Sequence, residues 1–369
     1  MTYFSRFRTF ILPAALLLAS CGEPEPVKIG FVAGISGAGA DTGLAARNAL
    51  MMVVDEVNEK GGINGHPIEL VIRDDQKSGD VGRQLMNEFH ELGVTAVIGP
   101  IISSVGYGML PGINEHKIIT ISPTVSALEL AGKDDHLFRM NSTTSENAGA
   151  YARKQVELGR KKVALALDHA NATFTESWAN EFQRQYVDLG GEVVARIPFN
   201  QKGESGFSDP AEQLLASGAD AFLLVANGFD SAQLSLQIRK RGATHPIAAA
   251  EWAASEQLIA MGGAAVEGLE VLQTYNRNDQ SAHFLKFVDA YKARFNSIPG
   301  YTSVATHDAV TMLIAGLEKQ AKDDIALKDA LLQLRDVQGL QQMLSFNEYG
   351  DSGRQSYYLT IRNGQFVVQ

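Results

Sequence analysis

The sequence predicts an α/β protein made of two doubly wound parallel-sheet lobes, and three observations carry that expectation. At 369 residues and 45% hydrophobic, the chain is long enough for two domains of ordinary size. From Val27 onward, apolar strands alternate with amphipathic helices, the βαβ rhythm of an open parallel sheet. That rhythm restarts at Lys162 to Asp168 (KVALALD), which points to a second lobe.

Taken in order, Val27 to Ala33 (VKIGFVA) reads as a strand. Thr42 to Glu59 reads as a helix, with Leu44, Ala45, Leu50, Met51, Val54 and Val57 at helical spacing. Lys60-Gly61-Gly62 ends it, because glycine accepts the left-handed cap. A strand at Pro67 to Arg73, a helix at Val81 to Leu92 and strands at Val94 to Gly99 and Lys117 to Ser122 complete the first run. The second run has a helix at Thr175 to Leu189, strands at Glu192 to Pro198 and Asp220 to Ala226, a helix at Ser231 to Arg241, and strands at Pro246 to Ala250 and Gly268 to Thr274. Helices follow at Ser281 to Phe295, Val304 to Lys319 and Ile325 to Leu334. Ser356 to Val368 reads as a hairpin turning at Asn363-Gly364, a pair suited to a type I′ turn.

Before the first strand, MTYFSRFRTFILPAALLLASCG has two arginines, an apolar run from Phe10 to Ala19 and then small residues. This is the pattern of a signal peptide over residues 1–20, too short for a permanent membrane span. Its end, Leu18-Ala19-Ser20-Cys21, resembles the bacterial lipobox, in which the cysteine is lipidated and becomes the first mature residue. Acyl chains contribute about 0.8 kcal/mol per buried CH2, so the expected protein is tethered to a membrane and extracytoplasmic. Glu23 to Pro26 (EPEP), within residues 21–26, makes a stiff spacer. Cys21 is the only cysteine, so no intramolecular disulfide forms. Removal of Arg6 and Arg8 leaves 30 basic against 42 acidic residues, a balance of −12 with no basic track, which argues against nucleic acid as a partner.

Chemistry finds little support. The glycine-rich GISGAGADTG, Gly34 to Gly43, sits where a nucleotide cradle would, but Thr42 stands where a dinucleotide fingerprint needs its third small residue, and no P-loop lysine follows Gly39. No G-x-S-x-G or H-E-x-x-H motif occurs, and the eight histidines lack metal-ligand spacing. The expectation is a protein without cofactor or metal and not an enzyme.

A binding site has more support. In open α/β sheets, ligands lie beyond the carboxyl ends of the strands, where loops enter helix N-termini. Three such loops carry small hydroxyl residues or glycine: Gly99 to Ser104 (GPIISS), Ser122 to Ser126 (SPTVS) and the opening glycine turn. Exposed N–H groups and hydroxyls there suit a carboxylate, although plain N-capping accounts for any one of them. Ser36 and Asp41 are open to either role.

The stretches KIGFVAGISG, NEKGGINGHPIELVIRDDQ, VTAVIGPIISS, IITISPTVSALEL and FVDAYKARFNSIPGYTSVATHDAV give the chain a family resemblance over residues 27–369. It resembles the type I periplasmic substrate-binding proteins of ABC transporters, in the leucine/isoleucine/valine-binding branch. The resemblance implies three crossing segments near Met140 to Thr144, Tyr275 to Asp279 and Asp336 to Gly339. One lobe would be 27–142 with 276–336, the other 143–275 with 337–369, the pair closing on a ligand by a hinge.

The resemblance also implies site residues. Ser103, beside Ser104, would hold an α-carboxylate with Thr124 and Ser126, and Glu251 would pair with the α-ammonium. Phe174 would stack over the ligand, where the family more often has tyrosine followed by glycine. Asn227 and Phe229 would come from the loop after the strand Asp220 to Ala226, and Trp252 would narrow the pocket. The expected ligand is a small zwitterion, an amino acid with an apolar side chain, handed to ABC permease subunits. The alternative is a sensing subunit of the same fold that binds an amide, urea or aromatic acid and signals to a partner protein.

Overall fold

Strand β1 (Val27–Ala33) takes an interior place in a sheet because it is apolar on both faces, and from Ile29 to Ala33 every residue is buried. In the computed structural model, which describes residues 24–37, 39–200 and 206–369, β1 pairs in parallel with β2 (Ile68–Asp74) and β3 (Ala96–Ile98). Strands β4 (Ile119–Ser122) and β5 (Leu137–Arg139) extend the sheet in the order β2-β1-β3-β4-β5, all parallel. The second sheet holds β6 (Lys162–Asp168), β7 (Glu192–Phe199), β8 (Ala221–Val225), β9 (Ile247–Ala249) and β10 (Glu270–Gln273). After a short ribbon of β11 (Val337–Gln338) and β12 (Met343–Leu344), the chain returns to that sheet with β13 (Tyr357–Arg362) and β14 (Gln365–Val368). Its order is β14-β13-β10-β9-β8-β6-β7, with only the last two strands in sequence antiparallel. Asn363 and Gly364 both have positive φ, 52° and 66°, as a type I′ hairpin turn requires.

The first lobe takes helices α1 (Asp41–Glu59), α2 (Gly79–Glu91) and α3 (Ser103–His116), and the second takes α4 (Thr144–Glu157), α5 (Ala172–Asp188), α6 (Ser208–Ala216), α7 (Gly228–Lys240) and α8 (Glu256–Gly262). Helices α9 (Ala282–Phe295), α10 (Tyr301–Asp323) and α11 (Leu327–Gln333) return to the first lobe, where Val310, Leu313 and Leu331 pack with Phe31, Leu50 and Ile121. Helix α1 ends at the expected glycines; at Gly62, with φ of 77°, a Cβ would stand 2.0 Å from the His66 carbonyl oxygen.

Helix α3 is absent from the sequence reading because Gly106, Gly108, Pro111 and Gly112 read as breakers. Packing overrides that signal. A Cβ on Gly108 would lie 2.4 Å from Gly79 Cα, and one on Gly112 2.9 Å from Met86 Cβ, so these glycines let α2 and α3 touch backbone to backbone. Helix α4 also goes unread, although Thr143 and Glu146 close a full capping box at its start.

The first passage between lobes runs from β5 to α4, and the second follows β10. The third lies later than the expected Asp336 to Gly339. Leu344 and Phe346 pack in the first lobe's core, Phe346 edge-on to Phe138 at 4.9 Å, and Asp351 pairs with Arg139 at 2.8 Å. Residues 337–351 therefore stay with the first lobe, and the crossing falls between Asp351 and β13.

Arg354 ties the passages together there. Its Nη2 donates to Asp308 Oδ2 at 2.7 Å, its Nε to the Met140 carbonyl at 3.0 Å, and its backbone exchanges hydrogen bonds with Ser142 Oγ. Asp308 Oδ1 also accepts from Leu340 N at 2.8 Å. Burial pushes the Asp308 carboxyl up, but Arg354, His307 and the Leu340 N–H outweigh it and hold the group below the usual carboxylate range.

Candidate functional site

Loops from the carboxyl ends of β3, β4, β6 and β9 meet between the lobes and line a tight cavity of about 30 Å³. In the first lobe, the loop after β3 enters α3, whose first turn carries no acidic residue and whose N-cap makes no side-chain bond. The positive end of its dipole thus faces the cavity side of this loop, although the Ser104 N–H of its first turn is already taken by Asn171 Oδ1. Ser103 is 2% exposed, and its Oγ accepts from Ser126 N at 3.4 Å and Ala127 N at 3.3 Å, joining this loop to the one after β4. Thr124 Oγ donates to the Ile101 carbonyl at 2.7 Å, tightening the same junction. Ser103, Thr124 and Ser126 all line the cavity, on a wall with no charged side chain.

The second lobe presents the opposite chemistry. Glu251, in the turn after β9, is 6% exposed; Asn147 Nδ2 donates to its Oε1 at 2.9 Å and Trp178 Nε1 to its Oε2 at 3.1 Å. Both donors are neutral, and among the described residues no Lys or Arg pairs with Glu251. Burial pushes its carboxyl up, and the hydrogen bonds only partly offset this. Phe174 and Trp252 line the cavity with rings edge to face at 5.7 Å, and Ile101 and Ile102 complete an apolar side. Trp252 packs against apolar clusters of both lobes, and Tyr301 at the start of α10 donates its hydroxyl to the Trp252 carbonyl at 3.4 Å.

Three expected ligand residues stand elsewhere. Ser104 bridges the lobes instead of lining the cavity: its N–H donates to Asn171 Oδ1 at 3.0 Å, and its Oγ accepts from Thr173 N at 3.2 Å. Asn227 caps α7, accepting from Asp230 N at 2.9 Å, and faces a neighbouring outer opening beside Lys77 and Asp168. Phe229, in the first turn of α7, packs edge-on against Phe207 at 6.4 Å and does not reach the cavity. The family resemblance implied these two, but Asn227 is spent on capping α7 and Phe229 on packing against Phe207. Cys21 lies outside the described residues.

The opening glycine loop lines that outer opening as well, with φ of 74° at Gly37 and 67° at Gly39. Ser36 turns its hydroxyl to Asp74, while α1 begins at Asp41 after Ala40, with no side-chain cap. Behind the loop, Asp75 is fully buried, and burial pushes its carboxyl up to about 6 despite the hydrogen bond from Lys77 N. Asn141, Asn171, Thr274 and Tyr301 also line the cavity and went unread in the sequence, as did Asn147 and Trp178 behind Glu251. No motif marks them. Among the described residues, no group of three or more His, Cys, Asp or Glu could hold a metal ion, and no helix is long and apolar enough to cross a membrane.

Two lobes that close strand-edge loops over one cavity, hydroxyls on one side and a buried acid on the other, define a solute-binding clamp. The chain belongs to the periplasmic binding protein family, whose model matches residues 26–364; it is an extracytoplasmic binding protein and not an enzyme. It is similar to the leucine-, isoleucine-, valine-, threonine-, and alanine-binding protein of Pseudomonas aeruginosa, at 24% identity over 328 residues, 89% of this chain and 87% of that one. Among solved structures it resembles the branched-chain amino acid transporter substrate-binding protein LivJ of Streptococcus pneumoniae in complex with isoleucine. That match has a TM-score of 0.83 and 25% identity, covering 94% of this chain and all of the other. A solute-binding protein of an ABC transporter from R. palustris, in complex with benzoate, has the same fold with a TM-score of 0.83 at 19% identity, covering 93% and 95%.

Proposed function

We propose that the protein binds a small α-amino acid with an apolar side chain between its lobes and delivers it to the membrane subunits of an ABC transporter, anchored to the membrane by a lipid on Cys21. Glu251 carries this reading: a buried carboxyl bonded only by neutral donors gains most from a ligand that brings a cation. Opposite it, the Ser103, Thr124 and Ser126 loops offer donors to a carboxylate, and Ile101, Ile102, Phe174 and Trp252 suit an aliphatic or aromatic side chain. Relatives named for leucine, isoleucine and valine binding support the same guest.

Calorimetric titration of the mature chain with the standard amino acids, benzoate and 4-methylpentanoate tests it. Tight binding of one or more apolar amino acids, lost on Glu251→Ala, is the expected result. Binding of benzoate with no response to any amino acid overturns it. Cys21→Ser should move the chain from the membrane fraction to the soluble one.

A further inference from the structure

We infer that Asn141 is a further ligand-contacting residue, a second acceptor for the N–H groups of a primary ammonium, which selects amine-bearing ligands over plain carboxylic acids; this rests on the amino-acid reading above. Asn141 lies two residues past the end of β5, on the first passage between the lobes, is 6% exposed and lines the cavity. Its Nδ2 donates to the Thr124 carbonyl at 3.1 Å. That bond settles which way the amide faces, since exchanging its nitrogen and oxygen would set two acceptors against each other. The remaining Oδ1 is fully buried and has no hydrogen-bond partner within the protein. A buried acceptor without a donor is costly, and native structures keep one where something else brings the donor.

The count of donors and acceptors supports this. A primary ammonium presents three N–H groups. Glu251 offers two oxygens, each already taking one bond, from Asn147 and from Trp178. Thr124 Oγ, its hydrogen given to Ile101, and the Thr124 carbonyl, which takes Asn141 Nδ2, can each still accept a bond but already have a partner. Asn141 Oδ1 is the buried acceptor of the wall left with nothing to accept. A guest with a carboxylate and no amine would face it with a second acceptor and gain nothing there.

The test compares wild type with Asn141→Leu, which keeps the bulk and removes the acceptor, by calorimetry with L-leucine and with its des-amino counterpart, 4-methylpentanoate. The expected result is about tenfold or more weaker binding of L-leucine by N141L, with 4-methylpentanoate unchanged. Equal L-leucine affinity in the two proteins overturns the inference and leaves the amino-acid reading standing. Wild type that binds no apolar amino acid, or binds 4-methylpentanoate as tightly as L-leucine, overturns both; where another apolar amino acid binds more tightly than L-leucine, that amino acid and its des-amino counterpart replace the pair. Should N141L lose its cooperative melt, a crystal structure of the wild-type protein with L-leucine decides. Asn141 Oδ1 within about 3.2 Å of the leucine nitrogen is expected, and a separation beyond about 4 Å overturns the inference.

Discussion

The two walls of the cavity solve opposite electrostatic problems with different means. The first-lobe wall, built from Ser103 at the start of α3 and from Thr124 and Ser126 in the loop after β4, has no charged side chain and relies on N–H groups and hydroxyls. The second-lobe wall buries a carboxyl, Glu251, and supports it with an amide and an indole from its own lobe. The comparison teaches that neither wall is complete alone. One lacks an anion and the other a cation, and the zwitterion we propose as the ligand would supply both.

That division can be broken one wall at a time. The largest effect is expected from Glu251→Gln, which keeps the shape and removes the charge: L-leucine binding should weaken by about 2–5 kcal/mol by calorimetry, with little change for 4-methylpentanoate. The same variant should abolish a pH dependence. Because burial raises the Glu251 carboxyl, wild-type affinity for L-leucine should fall as the pH is lowered, and at a higher pH than an ordinary glutamate would give. Ser103→Ala acts on the other wall and should cost about 1.5–3 kcal/mol for L-leucine and 4-methylpentanoate alike, since both carry the carboxylate. Equal losses for the two compounds in both variants would erase the distinction between the walls.

Smaller effects concern the frame. Asp75 is pushed up to about 6, chiefly by burial, with Asp74 adding to the rise and Lys77 opposing it. A raised acid binds its proton more tightly folded than unfolded, so the contribution of Asp75 to stability is full below about pH 4 and is lost as the pH rises through about 6. Asp75→Asn should remove that loss, gaining about 3 kcal/mol over wild type at pH 7 and nothing at pH 3, as read from melting curves. The smallest change is expected from Ser104→Ala, which deletes one interlobe hydrogen bond and touches no cavity surface. It should weaken every ligand by about 1 kcal/mol and leave their ranking unchanged, because a closed state less often populated lowers all affinities by one factor.

Much of the frame was legible because local chemistry and tertiary structure agree there. The apolar run of β1, the Gly61-Gly62 end of α1, the restart at β6 and the Asn363-Gly364 turn each state their structure in consecutive residues. Helix α3 was hidden because its glycines serve a contact with α2 that no local pattern announces. The third crossing was placed too early because the β11–β12 ribbon is too short to signal itself. The cavity divides in the same way. Ser103, Thr124, Ser126, Phe174, Glu251 and Trp252 converge on it, each following the carboxyl end of a strand already visible in the sequence. Asn141, Asn147 and Trp178 matter through neighbours far along the chain, Thr124 for the first and Glu251 for the other two, and such pairings leave no periodic trace.

The ion pair between Arg354 and Asp308 gives the joint between the lobes a property the cavity lacks. Both side chains are buried, and Asp308 is held ionised well into acid, in the direction opposite to Glu251 and Asp75. The acid at this joint is therefore held charged to lower pH than an ordinary aspartate, while the acid in the cavity, Glu251, loses its charge at a higher pH than an ordinary glutamate. Mild acidification should therefore reach the cavity wall before it reaches the joint between the lobes.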